Sequence, residues 1–526
     1  MENKSQEIEK PRDTVILILK KKRFEVDKQK LISKSQYFAA LLSENYLEYR
    51  QKEHIIEYYN ILSISFQDFV DWIHNDEIDI FTNNWNIEKC NRLFSLLELS
   101  IIFGVNNLIE YLIYKIEEKL YFMPPKFVID IWLLSQELNL NILRDVSFAF
   151  CLDRFDDLPL NSIYELSKDN LLKLIGNINI TSTPSYLIEV TNKWMKHHND
   201  FTIPLEILKN KETKILNSVI SSENIHFDNN EKFIHCWDGN DFFELTSFKY
   251  PEDILKYCTD ENHILYGMQI VGRKYNLYLC GGEFFQTEIY NKNVWRYSLI
   301  SKKWFLETTM PTERVDMIAA FIKNKLILVG GSNKSVDIYD TYTGLWTSGA
   351  DAPFNIHDRY NHCVLDDKLI VCRYLIAPYY YKGQTSYENY GMKSKIYVYF
   401  SNINTWKVVS KIDKLFKRNN LEISPTNIIF NTAPCYIEVV DRCRKTMILR
   451  VVSDTCTNEN CHIIRCNRRI KSNLSLKKFN KEDSILSFLK KINFDTYFCS
   501  FNINFDESTA YLNLTESRYK YTFHLH

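Results

Sequence analysis

Leu277-Tyr278-Leu279-Cys280-Gly281-Gly282 is followed by Trp304 and then by Met310-Pro311. Leu326-Ile327-Leu328-Val329-Gly330-Gly331 is followed by Tyr339, Trp346 and Ala352-Pro353. The glycine pairs lie 49 residues apart and the tryptophans 42, so the chain carries an internal repeat. A third copy runs from Lys368-Leu369-Ile370-Val371-Cys372-Arg373 to Trp406; its glycines are replaced, and an insertion around 376–392 stretches it. Apolar strand, glycine pair, strand, tryptophan and proline at this period are the signature of propeller blades. The glycines end an inner strand where neighbouring backbones crowd, and the tryptophan of an outer strand packs across it.

From about residue 230 onwards the apolar period is two, with frequent turns, which predicts an all-β region. Residues 119–222 read as helical throughout. Pro124-Pro125 and Pro184 each open a helix, and Ser162-x-x-Glu165 reads as a capping box ahead of Leu171, Leu172 and Leu174. Residues 13–118 mix the two periods. Val15 to Leu19 is an apolar strand, the charged turn Lys20-Lys21-Lys22-Arg23 leads to a second around Phe24 and Val26, and Ile55, Ile56, Tyr58 and Tyr59 form a third. Phe66, Phe69, Val70 and Ile73 then mark one face of a helix, as do Leu93, Leu96, Leu97 and Leu99, with Gly104 separating the last two helices. Residues 1–12 read as a polar tail with no apolar core of a signal peptide.

The totals bound the function. The 526 residues suggest about three domains, and Lys+Arg 65 against Asp+Glu 66 removes any global electrostatic case for nucleic acid or an anionic membrane. The longest apolar runs fall far short of the ~20 residues of a membrane span. Thirteen cysteines, an odd and scattered set, read as reduced thiols and not as a secreted disulfide framework. The expected location is therefore the cytoplasm, with the nucleus open.

With the three zones in order, the chain resembles the BTB–BACK–Kelch (Kelch-like) family over nearly its whole length. Phe24-x-Val26-Asp27-Lys28-x-x-Leu31-x-x-x-Ser35-x-Tyr37-Phe38 lines up with the BTB strand-to-helix core. Phe66-x-x-Phe69-Val70-x-Trp72-Ile73 and Glu77-Ile78-Asp79-Ile80 resemble its next helix and strand, and Ser95-Leu96-Leu97 to Phe103-Gly104-Val105 its end. Val190 to Trp194-Met195-Lys196-His197 looks like the last helices of BACK. The resemblance implies a multidomain chain: an α+β BTB domain over 13–118, an all-α BACK domain over 119–222 and a degenerate all-β Kelch propeller, six-bladed, over 223–526. It implies a BTB homodimer. Where the family carries a His-Arg pair in the dimer pocket, this chain has Asp27 and Lys28. It also places Tyr46, Leu47 and Glu48 at the hydrophobic-x-Glu motif that contacts cullin-3, whose bland reading is a solvent-facing loop.

Other constellations favour their bland readings. Lys20-Lys21-Lys22-Arg23 suits a solvated turn better than a localisation signal. Cys456, Cys461 and Cys466 with His462 have C-x4-C-x4-C spacing, too wide for paired zinc ligands, so no metal and no cofactor is expected. Residues 441–481 hold eleven basic against three acidic residues with no interleaved aromatic platform, which makes a propeller rim a better reading than an RNA site. No phosphate loop, nucleophile elbow or His-Glu-x-x-His occurs, so the chain is read as a non-enzyme. The function implied by the resemblance is a substrate-specific adaptor of a cullin-3 ubiquitin ligase, with an unidentified protein substrate. Tyr379, Tyr380 and Tyr381, in the tyrosine-rich insertion, are the candidate recognition residues, because tyrosine contacts cost little entropy. The alternative is a non-ligase Kelch scaffold, actin-associated or regulatory.

Overall fold

The computed structural model describes residues 13–204, save 58–60, 82–84 and 178–179. It also describes 214–409, save 222–230, 238–241, 257–267, 285–288, 332, 355–359, 366, 374–379, 382–383 and 386–395. Past 409 it describes the backbones of five strands. The chain divides into two compact units that part between residues 205 and 206.

In the first unit β1 (Thr14–Leu19) and β2 (Lys22–Asp27) form an antiparallel hairpin, and β3 (Glu53–Ile55) joins β1 in parallel, in the order β2-β1-β3. The two-residue turn puts Lys20 and Lys21 at φ 48° and 70°, the left-handed pair that matches strand twist. Lysine bears that strain here while Lys20 Nζ donates to Ile61 O at 2.8 Å. Helices α1 (Lys28–Lys34), α2 (Gln36–Leu41), α3 (Ser63–Asn75), α4 (Ile87–Ile102) and α5 (Asn106–Lys119) follow. Gly104, at φ 60°, breaks α4 from α5 as its position suggested. Phe38, Phe66 and Phe69 surround Phe103 with ring centroids 5.0, 6.3 and 5.2 Å away, and all four are fully buried. Two polar devices tie the helices together. Lys34 Nζ donates to Trp72 O, Ile73 O and Asp76 Oδ1 at 3.2, 2.9 and 2.7 Å, satisfying the carbonyls at the end of α3. Asp68 of α3, buried, accepts both Nε and Nη2 of Arg92 on α4.

The same unit continues through α6 (Pro125–Glu137), α7 (Asn141–Asp153), α8 (Leu160–Tyr164), α9 (Lys168–Ile175) and α10 (Pro184–His198). Pro125 and Pro184 stand in the first turns of α6 and α10. Trp132 packs on Phe148 at 5.2 Å, and Trp194 Nε1 donates to Leu166 O at 3.0 Å. Three local expectations are corrected. Glu77 to Ile80 is a turn and not a strand, and its one fully buried side chain is Ile80. Ser162 lies inside α8; the cap ahead of Leu171 is Ser167, whose hydroxyl accepts from Asn170 N at 3.3 Å. Helix also stops at His198, and Lys214–Ser221, expected in the helical zone, is a strand. Its Ile-Leu and Val-Ile pairs suit a strand paired on both sides.

The second unit is built from four-stranded sheets. β4 (Lys214–Ser221), β5 (Glu231–Trp237) and β6 (Phe242–Lys249) are consecutive neighbours, followed by the short α11 (Glu252–Leu255). The first repeat forms β7 (Gln269–Arg273), β8 (Asn276–Cys280), the hairpin β9 (Glu283–Phe284) and β10 (Ile289–Tyr290), then β11 (Asn293–Ser298) and β12 (Trp304–Thr309). Its sheet order is β12-β11-β8-β7. The second repeat is β13 (Ile318–Ile322), β14 (Lys325–Val329), β15 (Val336–Asp340) and β16 (Leu345–Gly349) in simple meander order. The third is β17 (Tyr360–Leu365), β18 (Lys368–Arg373), the hairpin β19 (Tyr380–Tyr381) and β20 (Gln384–Thr385), then β21 (Ile396–Phe400) and β22 (Thr405–Val409). A further sheet joins β23 (Ile428–Phe430), β24 (Tyr436–Val440), β25 (Thr446–Arg450) and β26 (Ile463–Ile464). β27 (Cys499–Phe505) returns to pair antiparallel with β4, completing the sheet β27-β4-β5-β6.

The repeat seen in sequence has a physical counterpart. Tyr297, Tyr339 and Tyr399 stand directly opposite Trp304, Trp346 and Trp406 across the third and fourth strands, with ring centroids 5.1, 5.1 and 5.0 Å apart. Each indole N–H then reaches back to the sheet before it. Trp304 donates to Lys249 O at 2.6 Å, Trp346 to Thr308 Oγ1 at 3.0 Å and Trp406 to Ala350 O at 2.9 Å. The glycine pairs sit at φ 62° and 96° (Gly281, Gly282) and 74° and 97° (Gly330, Gly331). Gly281 has no room for a side chain: a Cβ would run into the carbonyl of Arg314, which accepts Gly282 N at 2.9 Å. Arg314, 1% exposed, points its guanidinium the other way. It bonds Asp337 Oδ2 at 2.6 Å, Ser335 Oγ at 2.7 Å and Gly330 O. One residue thus clasps the first repeat's glycines to the second repeat's third strand.

The second repeat is buried on both faces. Ala319, Leu326, Leu328 and Tyr339 pack against Tyr278, Cys280 and Val294 of the first repeat. Ile318, Ala320, Ile327 and Val329 pack against Leu369, Val371, Tyr397 and Tyr399 of the third. His362 of β17 lies within that second junction, its Nε2 donating to Ala319 O at 3.2 Å. Burial pushes its imidazole down to about 4. The folded state therefore disfavours the proton that the unfolded chain accepts below about 6.5. Stability contributed by neutral His362 is full above about pH 6.5 and is lost as pH falls towards about 4, by on the order of 3 kcal/mol. His362→Gln should flatten the fall in the second unit's melting temperature between pH 6.5 and 4; an unchanged slope would exclude His362 as its source.

Candidate protein-binding face

Tyr46, Leu47 and Glu48 fall on a single turn of 3₁₀ helix, Leu47–Arg50, whose N-terminal flank is Tyr46. The turn is closed by backbone bonds, Tyr49 N to Tyr46 O at 3.2 Å and Gln51 N to Glu48 O at 2.9 Å. Tyr46 is 53% exposed, whereas Glu48 is half-buried. The segment carries the exposed Tyr46 ring at its start and the Glu48 carboxylate two residues on. The residues that follow them, Tyr49 and Gln51, carry the contacts to neighbouring elements.

The ties come from two places. Lys28, at the start of α1, holds its ammonium 4.5 Å above the Tyr49 ring. His54, in the middle of β3 and 5% exposed, has its Nε2 3.1 Å from Gln51 O; a carbonyl only accepts, so this nitrogen carries the proton. Burial pushes the His54 imidazole below its ordinary range, against the opposing pull of the Gln51 carbonyl and the Glu48 carboxylate. Arg23 and Glu53 pair across the sheet. Neither Lys28 nor His54 was identified from sequence as a support of the motif. The pairing of residues 28 and 49 had no local signal, and a histidine in a three-residue strand carries none either.

Asp27 and Lys28, which replace the pair expected in a dimer pocket, both have local work. Asp27 caps α1, accepting from Lys30 N at 2.9 Å. Lys28 N donates to Asp13 O at 2.9 Å while its side chain covers Tyr49. Around them, Ile55 on the free side of β3 is 72% exposed.

The other candidates belong to the second unit. Tyr380 and Tyr381 form β19 of a two-stranded hairpin, between the second and third strands of the third repeat. Tyr379 lies outside the described residues, as do Cys456, Cys461, His462 and Cys466 and most of the basic stretch 441–481. No group of three or more His, Cys, Asp or Glu side chains is placed to hold a metal ion among the described residues. Cys90, Cys151 and Cys280 are buried there, and burial pushes the Cys90 thiol up to about 12, which suppresses the thiolate needed for redox sensing. No helix among the described residues is long and apolar enough to cross a membrane.

No curated protein matches the chain. A model of one protein family does match, over 118 of the 526 residues, and the hairpin, the parallel third strand and the helices α1 to α5 fall within that span. Residues 3–120 are a BTB/POZ domain.

Proposed function

We propose that this chain is a substrate-recruiting adaptor of a cullin-3 RING ubiquitin ligase. The observation that carries the reading is the turn with exposed Tyr46 and half-buried Glu48 within a BTB/POZ domain, a domain class that commonly dimerises and binds cullins. In this reading α6 to α10 are a BACK arm and the second unit is a six-bladed Kelch propeller. Support for the propeller lies in the strands β27, β7, β13, β17 and β23, which neighbour one another in series as the inner strands of five sheets. The propeller would hold a protein substrate, with the hairpin at Tyr380 and Tyr381 as one recognition element, and the BTB domain would hold the cullin. Rate acceleration then comes from proximity alone, since the tethered substrate meets the charged ubiquitin enzyme at high effective concentration.

Full-length protein should retain cullin-3 in a pull-down, and Glu48→Ala should weaken the affinity by at least about tenfold, the range for an interface anchor. Wild type that fails to retain cullin-3 would end the ligase reading. The local roles of Asp27 and Lys28 then favour the second reading, a Kelch scaffold without ligase activity, tested by co-sedimentation with actin filaments.

A further inference from the structure

The 3₁₀ turn Leu47–Arg50, flanked by Tyr46, is too short to hold its shape unaided. Its shape rests on two backbone bonds. Tyr49 N donates to Tyr46 O at 3.2 Å, and Gln51 N donates to Glu48 O at 2.9 Å. Each bond ties a residue of the motif to the residue three positions on. Those later residues are the ones held from outside. Lys28 Nζ lies 4.5 Å from the Tyr49 ring centroid, and His54 Nε2 donates to Gln51 O at 3.1 Å. Contacts therefore run in two short lines, Lys28 to Tyr49 to Tyr46 and His54 to Gln51 to Glu48.

Both outer residues are odd choices for their own elements. Lys28 is the first residue of α1, where the helix dipole favours a carboxylate over an ammonium. His54 is the buried middle residue of β3, opposite Leu17, where an aliphatic side chain would need no hydrogen bond. Local rules broken at two remote positions that converge on one turn point to a task outside those elements. The Glu48 carboxylate and the Lys28 ammonium also act on the His54 imidazole, in opposite senses, so all three groups share one electrostatic neighbourhood.

We infer that Lys28 and His54 are positioning residues for the protein-binding turn, Lys28 setting its Tyr46 end and His54 its Glu48 end. Neither residue has to touch the partner. The gain is preorganisation, because the turn is ordered before contact is made. That the partner is cullin-3 rests on the ligase reading above; the bracing of the turn does not.

Hydrogen exchange resolved to single residues, on the full-length protein, reads the brace without any partner. Lys28→Ala should speed exchange of the Tyr49 amide by about two- to fivefold, the scale of an exposed cation–π contact. His54→Leu should speed the Gln51 amide by about two- to tenfold, the scale of one hydrogen bond. Lys28→Arg and His54→Gln, which keep the cation and the donor, should restore wild-type exchange. Unchanged exchange at both amides overturns the proposal. So does faster exchange throughout α1 and β3, which would mark both residues as plain supports of the fold. Cullin-3 binding by the same variants is the second arm: affinity should fall by the same factors and return with Lys28→Arg and His54→Gln. If wild type binds and Lys28→Ala and His54→Leu bind equally well, the positioning role falls while the ligase reading stands. If wild type does not bind, the ligase reading falls, and the exchange arm alone decides the brace.

Discussion

Arg314→Ala is expected to destabilise the second unit by about 3–5 kcal/mol, the cost of removing one partner from a buried ion pair. Asp337 would be left with Thr312 as its remaining side-chain donor at 3.2 Å, and Ser335 and Gly330 would lose the guanidinium that joins them. The loss should exceed that of an ordinary core truncation in one respect: the Arg314 carbonyl holds Gly282 of the preceding repeat, so slack at residue 314 passes between two sheets. Arg314→Lys keeps the charge but not the fork, and should recover only part of the loss. Calorimetry of the full-length protein separates this transition from that of the first unit. An Arg314→Ala loss below about 1 kcal/mol would show that the clasp is dispensable.

The second large effect is expected in the BTB/POZ domain. Arg92→Ala leaves the buried Asp68 carboxylate without its guanidinium and should cost about 3–5 kcal/mol. Replacing both partners together, Asp68→Leu with Arg92→Met, should be much milder than Arg92→Ala alone, because no charge then remains unpaired in the interior. The denaturation midpoint of the first unit reads both. Equal losses in the single and double variants would mean that packing, not charge, dominates at α3 and α4.

The parts of this fold legible in sequence were those written as repetition. Trp304, Trp346 and Trp406 recur because each performs the same task, stacking on a tyrosine of its own sheet and donating to the sheet before. The glycine pairs recur because a left-handed backbone and a crowded carbonyl exclude a side chain there. Arg314 was missed because its partners lie 16 to 23 residues away and no second copy of it is visible in the repeat. Ser162 and Ser167 illustrate a different limit: two serines five residues apart each satisfy a capping pattern, and only packing decides which helix begins. Lys214–Ser221 looked like a continuation of the helical zone because its strand partners are remote. Of the candidate face, Tyr46, Leu47 and Glu48 were named by position and spacing, while the side chains that brace the turn, Lys28 and His54, belong to other elements.

The pairing of β27 with β4 sets a clock on biosynthesis. Cys499 lies opposite Ile220, roughly 280 residues earlier in the chain. At ordinary translation rates β4 leaves the ribosome on the order of 15–60 s before the strand that completes its sheet. During that interval one edge of β4 has no partner strand from its own sheet, an invitation to pairing with another nascent chain. The first unit, whose contacts are local, has emerged and had time to fold well before then. Demand for chaperones should therefore concentrate late in synthesis, on the second unit.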